Sequence, residues 1–119
     1  MKYVDGFVLV VPEANMEAYR KMAELGKNIW KKYGALEYFE AVADDLNSEM
    51  AGIKFPDMVK AGTGETVVFS FIVFKSREHR DEVNAKVMSD PSMKDMDSRS
   101  MPFDIKRMAY GGFKVIVEG

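Results

Sequence analysis

The chain has no cysteine and one histidine among its 119 residues. Without thiols there can be no disulfide, no thiolate nucleophile and no thiolate metal ligand, and one histidine without cysteine makes a closed zinc site improbable. No apolar stretch approaches the ~20 residues a membrane helix needs. The run from Phe7 to Val11 follows Asp5 and stops at Pro12-Glu13, too short and wrongly flanked for an export signal, so a cytoplasmic protein is expected. Neither sign of charge dominates: 17 basic and 19 acidic residues leave a formal charge of -2. A general nucleic-acid binder carries a basic excess, so RNA binding ranks only third among the functional readings. Neither Gly-x-Ser-x-Gly nor Gly-x-Gly-x-x-Gly occurs, and Gly62-Thr63-Gly64 precedes a strand rather than a helix, which makes it a turn. Met93-x-x-Met96, with Met101 nearby, has the spacing of a soft-metal site, but ten methionines suit irregular core filling better. No metal and no cofactor is expected.

What is present is a single domain's worth of alternating elements over residues 1–119. Tyr3 to Val11 is β-branched and aromatic and reads as a strand. Asn15 is placed to cap a helix from Met16 to Tyr33, where Met16, Tyr19, Met22, Ala23, Trp30 and Tyr33 fall at helical spacing. Gly26 inside that helix costs ~1 kcal/mol relative to Ala and so marks a close contact, and Gly34 suits a left-handed residue at the helix end. Leu36 to Ala43 is a second strand. The connection from Asp44 to Glu65 is long, with one helical turn at Pro56–Lys60 anchored by Met58 and Val59. Thr66 to Phe74 is a third strand, Ser76 caps a helix reaching Met88, and Asp90-Pro91 opens a short helical turn. Ile105 to Val117 is a last strand, interrupted by a bulge at Gly111-Gly112. The order β-α-β-β-α-β is that of a ferredoxin-like α+β domain: a four-stranded antiparallel sheet with two main helices on one face.

The strands are apolar on both sides. Val67, Phe69, Phe71 and Val73 alternate with Val68, Ser70, Ile72 and Phe74, and Phe7, Leu9 and Val11 alternate with Val4, Val8 and Val10. Two helices cover one face only, and burying each large apolar side chain is worth ~1.5–3 kcal/mol, so the other face calls for a cover. A second copy of the chain, giving a homodimer, is the leading choice; the Asp44–Glu65 loop folding back is the other.

Blocks spread in order along the chain resemble a small bacterial family, the YbaA-like proteins. They include Tyr3-Val4-Asp5-Gly6-Phe7, Gly34-Ala35-Leu36-Glu37-Tyr38, Asn84-Ala85-Lys86-Val87-Met88 and Met101-Pro102-Phe103-Asp104-Ile105-Lys106-Arg107-Met108. The resemblance implies a dimeric α+β barrel and supplies no reaction, since the family is a domain of unknown function with no established catalytic residues.

The residues themselves offer several candidates. His79, in the first turn of its helix, is either a general base or ligand-bonding group, or a structural histidine bonded to backbone. Asp5 is the lone charge in an apolar strand and needs a cation, for which Arg80, Lys106 and Arg107 are available; it is a second catalytic candidate or one member of an ion-pair network between subunits. Glu37 and Glu40 point to opposite faces of their strand, so either one of them meets a covered surface or both sit at a wet edge. Arg107, beside Phe103 and Asp104, is either a bidentate anchor for a carboxylate or phosphate or a charge guarding an edge strand. With Arg80, Tyr38 and Glu40 these complete the ligand-binding set. The leading functional reading is a small-molecule-binding protein, or cofactor-independent enzyme, with its pocket between sheet and helices. The other is a non-catalytic regulatory or protein-interaction module. A pocket of ~300 Å³ or more faced by His79 and a carboxylate separates the first from the second.

Overall fold

A computed structural model describes residues 1–94 and 101–119; Met96 of the methionine motif lies outside them. The described residues form four strands: β1 (Tyr3–Pro12), β2 (Glu37–Val42), β3 (Glu65–Phe74) and β4 (Ala109–Lys114). Two main helices, α1 (Met16–Lys32) and α3 (Arg77–Met88), are joined by two single-turn ones, α2 (Phe55–Met58) and α4 (Pro91–Lys94). The sheet runs β2-β3-β1-β4 with every pair antiparallel, the ferredoxin-like α+β arrangement. No helix among the described residues is long and apolar enough to cross a membrane.

Local chemistry explains most element ends. The Ser76 side chain accepts from the His79 backbone N–H and starts α3. Gly34, at φ +112°, turns the chain out of α1 in a conformation that favours glycine. Asn15, by contrast, makes no side-chain cap, because a 3-10 turn over Glu13–Asn15 precedes α1 and the Asn15 amide donates instead to the Pro102 carbonyl.

The last strand is shorter than its sequence suggests. Asp104 accepts from the Lys106 backbone N–H, closing a 3-10 turn over Ile105–Arg107, so pairing begins only at Ala109. Gly111 and Gly112 form no bulge: they pair in unbroken register with Gly6 and Asp5. Their role is steric. A Cβ on Gly112 would sit 2.5 Å from the Tyr3 hydroxyl oxygen, and the Phe113 ring crosses over Gly6 and Gly111.

The helix-facing side of the sheet carries two apolar clusters. Leu9, Val11 and Val68 pack on Tyr19 and Ala23 of α1, while Ile72 and Phe74 pack on Val83 and Val87 of α3. The opposite face is covered at one end only. There the long connection folds back, and Val59, not Met58, seals Val8, Val10 and Val67. Beyond it Phe39, Phe69 and Phe113 stand 48%, 45% and 62% exposed. Phe69, Phe71 and Phe113 line an apolar groove of about 590 Å³, and the Phe39 ring packs against that of Phe71.

Candidate functional site

Two separate polar clusters lie on the helix-facing side of the sheet. The first surrounds Asp5, which is 1% exposed in the central strand. Its Oδ1 accepts from Arg80 Nη1 at 2.8 Å and its Oδ2 from Asn84 Nδ2 at 3.2 Å. Arg80 and Asn84 are four apart on α3 and share one side of it. The Asn84 carbonyl accepts in turn from the Trp30 indole N–H at 3.0 Å, and Arg80 stacks over the Tyr3 ring while donating to Asp81 and Tyr110. Of the three cations available to Asp5, the fold selects Arg80, and the network lies within one chain. Every buried side-chain polar atom among the described residues is satisfied, which is the character of a structural pin.

His79 stands apart from that network. Its Nδ1 accepts from the Lys75 backbone N–H at 3.0 Å, its ring packs edge-on against Phe74, and its Nε2 lies toward Gly34. No hydrogen bond joins it to Asp5 among the described residues, so the structure does not bring the two together.

Arg107 and Asp104 are likewise tied internally. Arg107 Nη1 and Nη2 bind both oxygens of Glu65 at 2.8 and 2.6 Å, its Nε binds Asp104 at 2.8 Å, and Nη1 also reaches the Lys60 carbonyl at 2.8 Å. The guanidinium fork meets a carboxylate as expected, but the carboxylate belongs to β3 and the residue sits on a 3-10 turn rather than an edge strand. Arg107 holds the Glu65 carboxyl down at about 2, well below its ordinary value, helped by the Gly62 backbone N–H. This clasp fastens the end of the long connection to the segment leading into β4.

The second polar cluster is different in kind. Glu40, on edge strand β2, points to the helix side opposite Ser70, while Glu37 is exposed. Its Oε1 accepts from the Tyr19 hydroxyl of α1 at 2.6 Å and its Oε2 from the Tyr38 hydroxyl at 2.8 Å. Burial first, then the neighbouring carboxylate, pushes both phenols far above their ordinary value, so they remain protonated donors. Gly26 makes the arrangement possible: the Tyr38 hydroxyl oxygen lies 2.9 Å from where a Cβ would be.

Glu40, Tyr19 and Tyr38 line two cavities between α1 and the sheet. The outer cleft, about 640 Å³, runs along α1 over Ala23, Val42 and Val68. The inner one, about 160 Å³, is walled by the rings of Phe7, Trp30 and Phe103 and by methionines. A cavity of ligand size faced by a carboxylate is therefore present, with Glu40 in the place foreseen for a carboxylate and His79 absent from it. Of the expected ligand-binding residues, Tyr38, Glu40 and Phe103 meet at these cavities; Arg80, Asp104 and Arg107 do not line them. Tyr19 was legible only as a core residue, because helical spacing cannot show that its hydroxyl ends on a carboxylate twenty-one positions later. A signal did exist in Ser70, a polar residue between Val68 and Ile72 in the helix-facing row of β3. No group of acidic and histidine side chains among the described residues could hold a metal ion.

Residues 2–105 match the family described as "Protein of unknown function (DUF1428)". The proteins named "Uncharacterized protein YbaA" of Escherichia coli strain K12 and of Shigella flexneri are each 48% identical to the chain over 118 residues, covering 99% of both partners. Among solved structures, a dimeric ferredoxin-like protein from an uncultured marine organism superposes with a TM-score of 0.58 at 12% identity, covering 100% of each chain. On the extent of both the family match and the 48% identity, the chain belongs to this bacterial family of proteins of unknown function.

Proposed function

We propose that the protein is a cytoplasmic homodimer that binds a small molecule between α1 and the sheet. The observation that carries the binding site is Glu40, a carboxylate held by two phenols where a 640 Å³ cleft meets a 160 Å³ inner cavity. Ligand sites typically combine apolar walls of this volume with a few convergent polar groups. Tyr38, Glu40 and Phe103 contact the ligand in this reading, joined by Tyr19. Asp5, His79, Arg80, Asp104 and Arg107 hold the walls: the first three through α3, the last two through the segment that carries Phe103.

The half-exposed phenylalanines on the far face support the homodimer. A contiguous apolar groove of this kind is costly to leave in water, and a two-fold contact with a second copy would cover it on both chains. The solved ferredoxin-like relative is described as dimeric.

The binding reading is tested by thermal shift against a library of small metabolites, repeated on Glu40→Gln. A ligand at one hundred times its Kd stabilises by ~2.7 kcal/mol. Stabilising compounds whose effect is lost in Glu40→Gln support the cleft; stabilisation indifferent to that substitution, or none across the library, rejects it.

A further inference from the structure

The chemistry around Glu40 narrows the class of ligand. Both of its oxygens accept a neutral phenolic donor, which uses about half the lone-pair sites of a carboxylate and leaves its charge unbalanced. None of the ion pairs among the described residues includes it. The other charged residues of the outer cleft, Glu17, Arg20, Glu24 and Lys27, belong to α1; Glu17, Arg20 and Glu24 are exposed, and Lys27 is bonded to Glu24 at 2.7 Å.

The inner cavity beside Glu40 is walled by aromatic rings. Trp30 and Tyr38 lie 6.1 Å apart between centroids, Tyr19 and Phe103 5.9 Å. The Trp30 N–H is turned away to Asn84, so that residue offers the cavity its ring and not its donor. Ring faces attract cations and repel anions, and a carboxylate with no cationic partner among the described residues does the same. A neutral apolar guest would desolvate Glu40 without compensation. A cation bearing N–H groups meets both demands, because it places positive charge against the rings and donates to the remaining lone pairs of Glu40.

We infer that the site binds a protonated amine, with its ammonium group against Glu40 among the rings of Tyr19, Trp30, Tyr38 and Phe103 and its apolar remainder in the cleft along α1. The inference rests on the cleft being a ligand site. The 160 Å³ inner cavity sets the size of the head group and the 640 Å³ cleft accommodates the body.

The test uses the full chain and three probes: n-butylammonium, its neutral counterpart n-butanol, and tetramethylammonium, which has no N–H. Binding is followed by NMR at the indole N–H of Trp30, the single tryptophan. n-Butylammonium should bind at least tenfold more tightly than n-butanol and more tightly than tetramethylammonium, and Glu40→Gln should erase the first difference. Tyr38→Phe, which keeps the charge of Glu40 and frees one oxygen, should preserve or enlarge it. Equal binding of the amine and the alcohol with a shifted Trp30 signal overturns the ammonium inference and leaves the cleft standing. Tetramethylammonium binding as tightly as the amine overturns donation to Glu40. If no probe shifts Trp30 and the metabolite library also yields nothing, both readings fall.

Discussion

Gly26 of α1 lies directly against the hydroxyl of Tyr38, leaving no room for even one carbon: a Cβ there would be 2.9 Å from the hydroxyl oxygen. The helix accepts the propensity cost of glycine because only so close an approach lets Tyr38 and Tyr19 reach the same carboxylate from two elements. Gly26→Ala should therefore separate stability from binding. The gain of ~1 kcal/mol in helix propensity offsets much of the cost of displacing Tyr38, so the urea midpoint moves little. Affinity for cleft ligands falls tenfold or more. A large loss of stability with unchanged affinity would contradict this placement of Tyr38.

Asp5 and Arg80 should behave as a pair. Arg80→Met leaves a carboxylate buried without its cation and should cost ~3–5 kcal/mol in equilibrium unfolding, whereas adding Asp5→Asn recovers part of that loss. The double-mutant cycle should give a coupling well above the ~0.2–1 kcal/mol of exposed pairs, since the Asp5 side chain is 2% exposed and that of Arg80 14%. Additive losses would show that the pair holds nothing together.

The far face of the sheet makes a prediction about mass. Light scattering coupled to size exclusion should give twice 13.5 kDa for the native chain. Phe69→Lys or Phe113→Lys should yield a folded monomer, because each places a charge in the apolar groove without touching the helix-facing core. A native monomer at micromolar concentration would mean that the groove has some other occupant.

Glu65 gives the clasp on the long connection a pH dependence of definite sign. Its folded value, about 2, lies below the ordinary 4.5, chiefly because of the Arg107 hydrogen bonds. The clasp's contribution is thus present above about pH 4.5 and lost as pH falls from there toward 2. Proteolysis by an acid-active protease should cut between residues 46 and 60 increasingly over that window in the native chain. Arg107→Gln should be cut there already at neutral pH. An Arg107→Gln chain as resistant as the native one at pH 7 would remove the clasp from the account.

Much of the architecture was legible from short-range rules. Ser76 with Glu78 in the turn that follows predicted the start of α3, Gly34 predicted the end of α1, and the two-faced apolarity of Thr66 to Phe74 marked the strand at the centre of the packing. Those rules failed where a distant group intervened. Ile105 to Arg107 alternates like a strand, yet Asp104 bonds to Lys106 and to Arg107, and Arg107 to Glu65, and the segment curls into a 3-10 turn. The glycine pair in β4 read as a bulge because a strand pattern cannot reveal the Tyr3 and Phe113 rings lying across it.

The site divides in the same way. Sequence alone determined the α+β class, the exclusion of thiol chemistry, the need of Asp5 for a partner and the opposite facing of Glu37 and Glu40, because each of these depends on residue type and on a period of two or 3.6. Which cation answers Asp5, and that the Tyr19 hydroxyl of α1 reaches Glu40, were decided only when α1, α3 and β2 came together. Partners separated by twenty to eighty positions are chosen by packing geometry, and no local period carries that information.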